Sequence, residues 1–315
     1  MKFSIGIDLG GTNIAAGIVD ENNRILGKAS IKTNAPRPAA EIVRDMAEAA
    51  RLAAEQAGVC LKDAVSCGIG TPGTADPETG IVAYANNLGF RNTPLQQMME
   101  EAIGVPTRIE NDANAAAYGE SIAGAAKDAK NAIMITLGTG VGGGIIINKR
   151  VYGGMDNAGA ELGHMVIEMD GEPCGCGRKG CFESYGSATA LINQTRKAME
   201  QNPDSALWSI CPTLEEVNGK TAFDGMRMGD PVGTEVVRRY IEYLSVGTAN
   251  LVNIFRPEVF CIGGGICKEG DTLLGPIREY VKRECYNSGS AGTRICVAEL
   301  GNDAGIIGAA ALYRM

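Results

Sequence analysis

Three cysteines and the only histidine of the chain lie within eighteen positions, and all four side chains are of types that bind zinc. Thiolate and imidazole donors in a Cys3His set suit a tetrahedral structural zinc ion. The alternative is a loop with three ordinary reduced thiols, but such close spacing beside a lone histidine seldom arises by accident. Acidic residues flank the cluster on both sides, at Glu161 and Glu183. The sequence therefore predicts a structural zinc site with the ligands His164, Cys174, Cys176 and Cys181.

Two glycine-rich turns, each after an apolar run, are typical of phosphate binding. Asp8 is followed by Gly-Gly-Thr-Asn at residues 10–13, and residues 138–144 read Gly-Thr-Gly-Val-Gly-Gly-Gly. The backbone N–H groups of such turns are unshielded and can surround a phosphate. Neither turn fits the GxxxxGK[ST] pattern, and the second leads into a strand, which excludes a dinucleotide fingerprint. Either turn alone would fit a simple tight turn, but together they predict a phosphate-binding cleft.

The elements around these residues predict an α/β protein with two similar halves. Apolar and β-branched runs indicate strands, and alanine-rich segments with 3.6-residue spacing indicate helices. A strand, a glycine turn and a second strand open the chain, and the same plan returns after residue 132. The expected strands are 2–8, 14–19, 23–30, 65–69, 132–137, 144–147 and 259–262, and the expected helices are 39–58, 110–126, 230–255 and 304–313.

Composition narrows the class of protein. A chain of 315 residues usually forms two lobes of roughly 100 to 200 residues each. The net charge of −8 disfavours nucleic acid as a partner. The first residues do not resemble a leader peptide, and no run reaches the ~18 apolar residues of a membrane span. We therefore expect a cytoplasmic protein with no membrane partner. Its remaining cysteines are expected to be reduced core or inert thiols, namely Cys60, Cys67, Cys211, Cys261, Cys267, Cys285 and Cys296.

The motifs resemble those of the ROK family (repressor, open reading frame, kinase) of sugar kinases. Residues 174–183, CGCGRKGCFE, match the CxCGxxGCxE pattern of that family at every fixed position, and residues 161–164 match its ExGH motif. Residues 5–13 and 137–144 resemble the two phosphate hairpins of the actin-like, hexokinase-type ATPase superfamily. Gly263, Gly264 and Gly265 resemble its adenosine turn. The resemblance covers residues 5–312.

The resemblance implies a two-lobed actin-like, ribonuclease H-like ATPase fold with the active site in the cleft between the domains. The smaller lobe is expected to consist of residues 1–115, completed by the C-terminal helix 304–315. Residues 116–303 are expected to form the larger lobe and to carry the zinc site.

Asp112 is the catalytic base that the resemblance implies. It stands in Glu-Asn-Asp-Ala-Asn, residues 110–114, between an expected strand and a helix. A free aspartate, with a pKa of about 3.9, is a weak base toward an alcohol. Phosphoryl transfer is loose, however, so that positioning matters more than basicity. The alternative is that Asn111 and Asp112 only cap the helix.

The sugar-binding residues are likewise implied by the resemblance. If one ring nitrogen of His164 binds zinc, the other must carry the proton and can only donate to a sugar oxygen. Glu161 and Glu183 have the alternative of a solvated surface pair. The implied sugar-binding set is Asn87, Asn111, Asp112, Glu161, His164 and Glu183.

ATP with Mg²⁺ is the phosphoryl donor that the resemblance implies. Magnesium keeps several waters and takes only one or two protein carboxylates, and Asp8 is expected to lie just outside its direct ligands. The expected contacts of the nucleotide are Asp8, Gly10, Gly11, Thr12, Asn13, Gly138, Thr139, Gly140, Gly264 and Gly265.

Several functions stay open at this point. Residues 176–190 most resemble the bacterial glucokinase branch, but kinases of fructose, allose, mannose, N-acetylglucosamine and N-acetylmannosamine share the core residues. The family also contains sugar-sensing repressors with a winged helix-turn-helix ahead of the first hairpin. Here that hairpin begins at Lys2, and the acidic charge also argues against DNA. A non-catalytic actin-like module would leave the zinc cluster unexplained. A homo-oligomer, dimer or tetramer, is expected from the family.

Overall fold

The computed structural model describes residues 1–286 and 292–315, which form two compact units. Unit 1 consists of residues 1–134, 144–160 and 298–315, and unit 2 of residues 135–143 and 161–297. Each unit is therefore built from segments that are distant in sequence. In the described residues, none of the helices combines the length and apolar character needed to cross a bilayer.

Strands and helices alternate along most of the chain, as expected for an α/β protein. The strands are β1 (Phe3–Leu9), β2 (Asn13–Asp20), β3 (Ile25–Lys32), β4 (Cys67–Thr71), β5 (Thr74–Asp76), β6 (Ile81–Ala85), β7 (Phe90–Thr93), β8 (Thr107–Asn111), β9 (Ala132–Leu137), β10 (Val141–Ile147), β11 (Arg150–Val151), β12 (Val259–Gly263) and β13 (Arg294–Val297). The α-helices are α1 (Ala39–Ala57), α2 (Leu95–Ile103), α3 (Asp112–Ala123), α4 (Glu183–Gly186), α5 (Ala188–Gln201), α6 (Leu207–Ile210), α7 (Thr221–Arg227), α8 (Pro231–Phe255), α9 (Asp271–Glu284) and α10 (Ala304–Ala310).

The first sheet brings the ends of three strands to one edge. Its order is β3-β2-β1-β4-β8, and β1, β4 and β8 run parallel to one another. Asp8 of β1 is paired with Gly70 of β4, and the next residue of β4, Thr71, is paired with Asn111 of β8. The carboxyl ends of parallel strands are where α/β sheets present ligand-binding groups. This edge therefore carries Asp8 and the start of α3.

Two further sheets complete the strands. The second has the order β11-β10-β9-β12-β13, in which β12 and β13 are parallel, and the third has the order β5-β6-β7. All five residues of β12 are buried, which explains the unbroken apolar run in its sequence.

Helix α10 lies unusually close to its neighbours because small residues face it. It packs on β1, β4 and α3 in unit 1. A Cβ atom on Gly308 would lie 1.7 Å from the carbonyl oxygen of Ala115, and one on Gly68 would lie 1.8 Å from that of Ala309. Distances this short leave no room for a methyl group, so the backbones of α10, α3 and β4 are in direct contact.

We expect Gly308→Ala to destabilise the protein by about 3 kcal/mol or more, since overpacking of a tight contact between backbones leaves no flexible side chain to move. Urea unfolding measures this change. Gly275→Ala in α9 is the matched control, because a Cβ atom there meets nothing within 4 Å. The control should stay within about 1 kcal/mol of the wild type, because the gain in helix propensity is opposed by the steric restriction on a residue before Pro276. Equal stabilities for the two variants would contradict the close packing of α10.

All eleven elements that the sequence predicted lie within a few residues of observed ones, with three informative corrections, whereas the other strands and helices were not predicted. The helix expected at 110–126 begins only at Asp112, because Glu110 and Asn111 complete β8. Strand β10 begins at Val141 and not at 144, because Gly142 and Gly143 are extended. The closing helix ends at Ala310 and continues as a short 3₁₀ helix, Leu312–Arg314.

Candidate active site and metal centre

Asp112 is the first residue of α3, and its neighbour Asn111 carries most of the helix cap. The side-chain oxygen of Asn111 accepts hydrogen bonds from the N–H groups of Ala113 and Asn114, at 2.9 and 3.1 Å. The Oδ1 atom of Asp112 accepts a hydrogen bond from Ala113 N at 2.8 Å. Capping by Asn111 satisfies the exposed donors of the helix start. The second carboxylate oxygen of Asp112 gives this side chain the capacity to accept a proton.

Glu110 is a site residue that the sequence reasoning missed. It is buried in β8, and its Oε1 atom accepts hydrogen bonds from Asn111 N at 2.9 Å and from Asn114 Nδ2 at 3.0 Å. Burial raises the pKa of Glu110. A buried carboxylate bound to both residues around Asp112 fixes the turn from strand to helix. The available signal was an acidic residue on an inward-facing strand position directly before Asn-Asp.

Asp8 and Asp112 interact electrostatically within unit 1. Burial and, to a smaller extent, the charge of Asp112 together raise the pKa of Asp8 to about 6. Burial also raises the pKa of Asp112, whose hydrogen bonds act in the opposite direction. Two carboxylates that affect one another resist simultaneous ionisation. Gly305 of α10 packs on Asp8, where an added Cβ atom would lie 2.8 Å from its carboxylate. This pair is a site that favours a cation or a proton.

The first glycine turn is held rigidly and lies beside Asn87. Gly10 N donates to Asn13 O at 2.9 Å, and Thr33 Oγ1 donates to Gly10 O at 2.7 Å. Asn87 is exposed in the short 3₁₀ helix Asn86–Leu88, and a Cβ atom on Gly11 would lie 3.5 Å from its Cβ. The structure therefore brings Asn87 next to the predicted phosphate turn, with the side chains of Thr12 and Asn13 exposed there.

The four predicted zinc ligands converge in unit 2. Their donor atoms all lie within 4.8 Å of one another. Cys174 Sγ is 3.6 Å from His164 Nδ1, and Cys176 Sγ is 3.7 Å from Cys181 Sγ. A tetrahedral zinc ion with bonds of about 2.3 Å to sulfur and 2.0 Å to nitrogen requires S–N and S–S edges of about 3.5 and 3.8 Å. The donor set and its two measured edges fit zinc.

Cys176 and Cys181 have opposite electrostatic surroundings. Burial raises the pKa of Cys181 to about 12. The backbone N–H of Arg178 lowers the pKa of Cys176, which is exposed. Zinc binds both cysteines as thiolates, so a buried Cys181 thiolate requires a nearby cation to offset its burial.

Glu183 connects the cysteine cluster to the second glycine turn. Its Oε2 atom accepts a hydrogen bond from Val141 N at 3.0 Å, and its Oε1 atom lies 3.8 Å from Cys174 Sγ. A Cβ atom on Gly140 would meet the same carboxylate at 2.1 Å, so a larger residue there would displace the Glu183 side chain. Glu161 is exposed, and its carbonyl oxygen accepts a hydrogen bond from His164 N at 3.0 Å. The predicted zinc ligands, the predicted sugar-binding glutamates and the second glycine turn are thus adjacent in unit 2.

The second glycine turn is anchored to α5. Gly138 N donates to Gly140 O at 3.0 Å, and Ala188 N, at the start of α5, donates to Gly138 O at 2.9 Å. A cavity of about 580 Å³ in unit 2 has Thr139 and Glu183 on its wall. Thr139, which was predicted to contact phosphate, and Glu183, which was predicted to contact the sugar, therefore line the same cavity.

Gly264 and Gly265 follow β12 and are exposed. Gly264 has a φ of +106°, and a Cβ atom on it would lie 2.2 Å from Leu137 O, so a side chain is excluded at this position. The predicted adenosine turn is therefore packed on the residue that precedes the second phosphate turn.

Comparison with known proteins identifies the class. The pattern of the ROK family matches residues 4–315. A glucokinase of Streptomyces coelicolor is 37% identical over 319 residues, which cover 100% of this chain and 98% of that protein. The crystal structure of a ROK family glucokinase from Streptomyces griseus, in complex with glucose and AMPPNP, superposes with a TM-score of 0.83 at 38% identity and covers 98% of both chains. The xylose repressor of Bacillus subtilis is 29% identical over 309 residues, 97% of this chain and 75% of the repressor.

The chain belongs to the ROK family. The resemblance found in its motifs is confirmed, and so is the predicted actin-like ATPase fold.

Proposed function

We propose that this protein is an ATP-dependent hexose kinase, a glucokinase that transfers the γ-phosphoryl group of ATP to the 6-hydroxyl of glucose. The observation that carries the proposal is the half-buried Asp112 carboxylate at the start of α3, with its pKa raised and its charge acting on Asp8. The glucokinases of both Streptomyces species, similar to this chain over nearly its whole length, support glucose as the substrate.

Asp112 is the proposed general base. Its raised pKa makes the ionised carboxylate a better proton acceptor than that of a solvated aspartate. Asn111 and Glu110 fix the direction of the carboxylate through the cap and the buried hydrogen bonds. Because phosphoryl transfer is loose, the principal contribution of Asp112 is to hold and orient the sugar hydroxyl and to take its proton late.

The proposed sugar contacts are the hydrogen-bonding side chains that the motifs implied. In unit 2, His164 Nδ1 points to the cysteine cluster. With zinc on that nitrogen, Nε2 carries the proton and donates to a sugar hydroxyl. Glu161 and Glu183 would accept from hydroxyl groups, as would Asn87 and Asn111 of unit 1 through their amide oxygens. This set reads several hydroxyl groups of one hexose.

The proposed nucleotide contacts are the glycine turns. Gly10, Gly11, Thr12 and Asn13, with Gly138, Thr139 and Gly140, would hold the phosphates through backbone N–H groups and hydroxyls, and Gly264 and Gly265 the adenosine. Magnesium, when bound with ATP, would neutralise charge on the β- and γ-phosphates. Asp8, which is half-buried and has a raised pKa, would attract this cation from just outside its direct ligands.

Zinc is proposed to be structural, held by His164, Cys174, Cys176 and Cys181. The match between the donor distances and a tetrahedral ion supports it. We also propose a cytoplasmic homo-oligomer, with functional lobes divided as the sequence predicted, at 1–115 with 304–315 and at 116–303.

A panel of monosaccharides assayed for ADP release tests the function. The purified protein should release ADP fastest with glucose, and phosphate should appear on C6 by NMR. Fructose, mannose, allose, N-acetylglucosamine and N-acetylmannosamine serve as competitors. Faster turnover of another hexose would replace glucose as the substrate, and no turnover of any sugar would overturn the kinase proposal.

A sugar-responsive regulator is the second candidate, because repressors belong to the same family. The half-buried pair of Asp8 and Asp112 favours the enzyme, since a sensor has no need of a carboxylate with a raised pKa. Glucose binding without ADP release would favour the regulator.

Asp8→Asn is expected to make the protein more stable at pH 8 and at the same time to weaken its use of Mg-ATP. Asp8 holds its proton more tightly in the folded protein, with a pKa of about 6, than at its ordinary value of 3.8. Its contribution to stability is therefore complete below pH 4 and is lost as the pH rises through 6. At pH 8 the ligand-free variant should gain about 1–3 kcal/mol in free energy of unfolding. The KM for Mg-ATP should rise, with little change in sugar affinity.

Asp76→Asn is the control for this pH dependence. Hydrogen bonds from Thr79 and Glu78 lower the pKa of Asp76, so its substitution should slightly decrease stability at pH 8. A change in Asp8→Asn that is confined to sugar affinity would count against its role at the nucleotide.

A further inference from the structure

Two cysteines of unit 2 lie directly opposite one another on neighbouring strands. Cys261 of β12 is the register partner of Cys296 of β13, and their Sγ atoms are 3.9 Å apart. Both are reduced in this structure. They are 35 positions apart in sequence, so their spacing gave no sign of the pair, and the sequence treated both as inert.

From this geometry we propose that Cys261 and Cys296 form an oxidative modification site, in which a disulfide between them weakens nucleotide binding. Adjacent strands lie about 4.8 Å apart, within the Cα–Cα range of about 4.4–6.8 Å that disulfides span. The sulfurs must approach by about 1.9 Å to reach a bond length of about 2.05 Å. Rotation of the two side chains supplies part of this movement, and a displacement of Cys261 toward the edge strand β13 supplies the rest.

Access determines the order of events. Cys261 is fully buried, whereas Cys296 is half-buried on the edge strand β13. A low-molecular-weight disulfide, RSSR, is thus attacked by the Cys296 thiolate, which forms Cys296–SR and releases RS⁻. The Cys261 thiolate then attacks Cys296 Sγ and displaces the second RS⁻. The two thiols lose two electrons and two protons, and RSSR becomes two RSH.

The effect on nucleotide rests on the proposed function of the turn after β12. Cys261 is two residues before Gly263, and Gly264 packs against Leu137 with no space for a Cβ atom. A bond that pulls Cys261 toward β13 displaces the end of β12, and the tight packing transmits this displacement to the Gly264 backbone. The proposed adenosine contact is thereby misplaced, while the sugar-binding residues of unit 1 are unaffected.

Incubation of the zinc-loaded protein with oxidised glutathione tests the inference. Peptide mass spectrometry should detect a linked pair that contains Cys261 and Cys296, and dithiothreitol should reverse it. By calorimetry, the linked protein should bind ATP roughly fivefold more weakly or worse. Absence of the linked pair, or a linked protein with unchanged ATP affinity, would overturn the inference.

Matched variants exclude oxidation elsewhere. Cys296→Ser should form no link and keep its ATP affinity under oxidant. Cys285→Ser, whose native sulfur faces the carbonyl oxygen of Ala249 at 3.8 Å, should behave as wild type. Zinc release is measured in parallel, because loss of ATP affinity that follows zinc loss in Cys296→Ser would also overturn the inference. If the reduced protein phosphorylates no sugar, only the proposed kinase function is contradicted. The linked peptide and the ATP affinity then still test the disulfide between Cys261 and Cys296.

Discussion

Replacing Asp112 with asparagine is expected to lower kcat by about 10²–10⁴-fold, the usual contribution of a general base. The substitution keeps the size of the side chain and an oxygen that can accept the hydrogen bond from Ala113 N. It removes the negative charge and the ability to take a proton. Sugar affinity should stay within about twofold, because the amide still binds a hydroxyl. Steady-state kinetics with calorimetric sugar binding measure both quantities.

Asp271→Asn is the matched control for this variant. Asp271 is the first residue of α9, as Asp112 is of α3, but its side chain is 87% exposed and pairs with Arg278. It should leave kcat near the wild-type value, so that a general effect of asparagine at the first position of a helix is excluded. A near-normal kcat for Asp112→Asn would remove Asp112 as the base.

The pH profile gives an independent reading of the same residue. Burial raises the pKa of Asp112, and only the ionised carboxylate can accept the proton. In the wild type, kcat should therefore fall as the pH decreases, and at a higher pH than for an ordinary aspartate. In Asp112→Asn the residual rate should lose this acid limb.

The site residues that are close in sequence could be predicted, because local spacing decides their proximity. His164, Cys174, Cys176 and Cys181 fall within one short loop, and their donor atoms converge. The glycine turns were also predictable, since a turn between two strands involves only neighbouring residues.

Residues that meet through strand register could not be predicted in the same way. Asp8 and Asp112 interact because β1, β4 and β8 are adjacent and parallel, and Cys261 faces Cys296 because β12 and β13 are in register. Pairing of distant strands depends on the whole sheet and is not written in either segment. Glu110 was missed for a related reason: its burial follows from the position of β8 in the sheet.

Cys176→Ser is expected to abolish zinc binding and to weaken sugar binding together. Cys176 is exposed, so the substitution leaves no cavity in the core, and its effect reports the loss of a metal ligand. Without the ion, Cys174 no longer holds its place between His164 Nδ1 at 3.6 Å and Glu183 Oε1 at 3.8 Å. The zinc content should fall from about one ion per chain to near zero. The KM for sugar should rise by roughly tenfold or more.

Cys60→Ser is the control, since Cys60 is also exposed but lies in unit 1, far in sequence from the cluster. It should retain one zinc and the wild-type KM. Metal analysis of each purified protein and sugar kinetics on the same samples decide the outcome. A Cys176→Ser protein that has lost zinc but binds sugar normally would show that the ion does not position His164 and Glu183. Wild-type protein without zinc would remove the metal from the site altogether, and with it the reason why His164 must act as a donor.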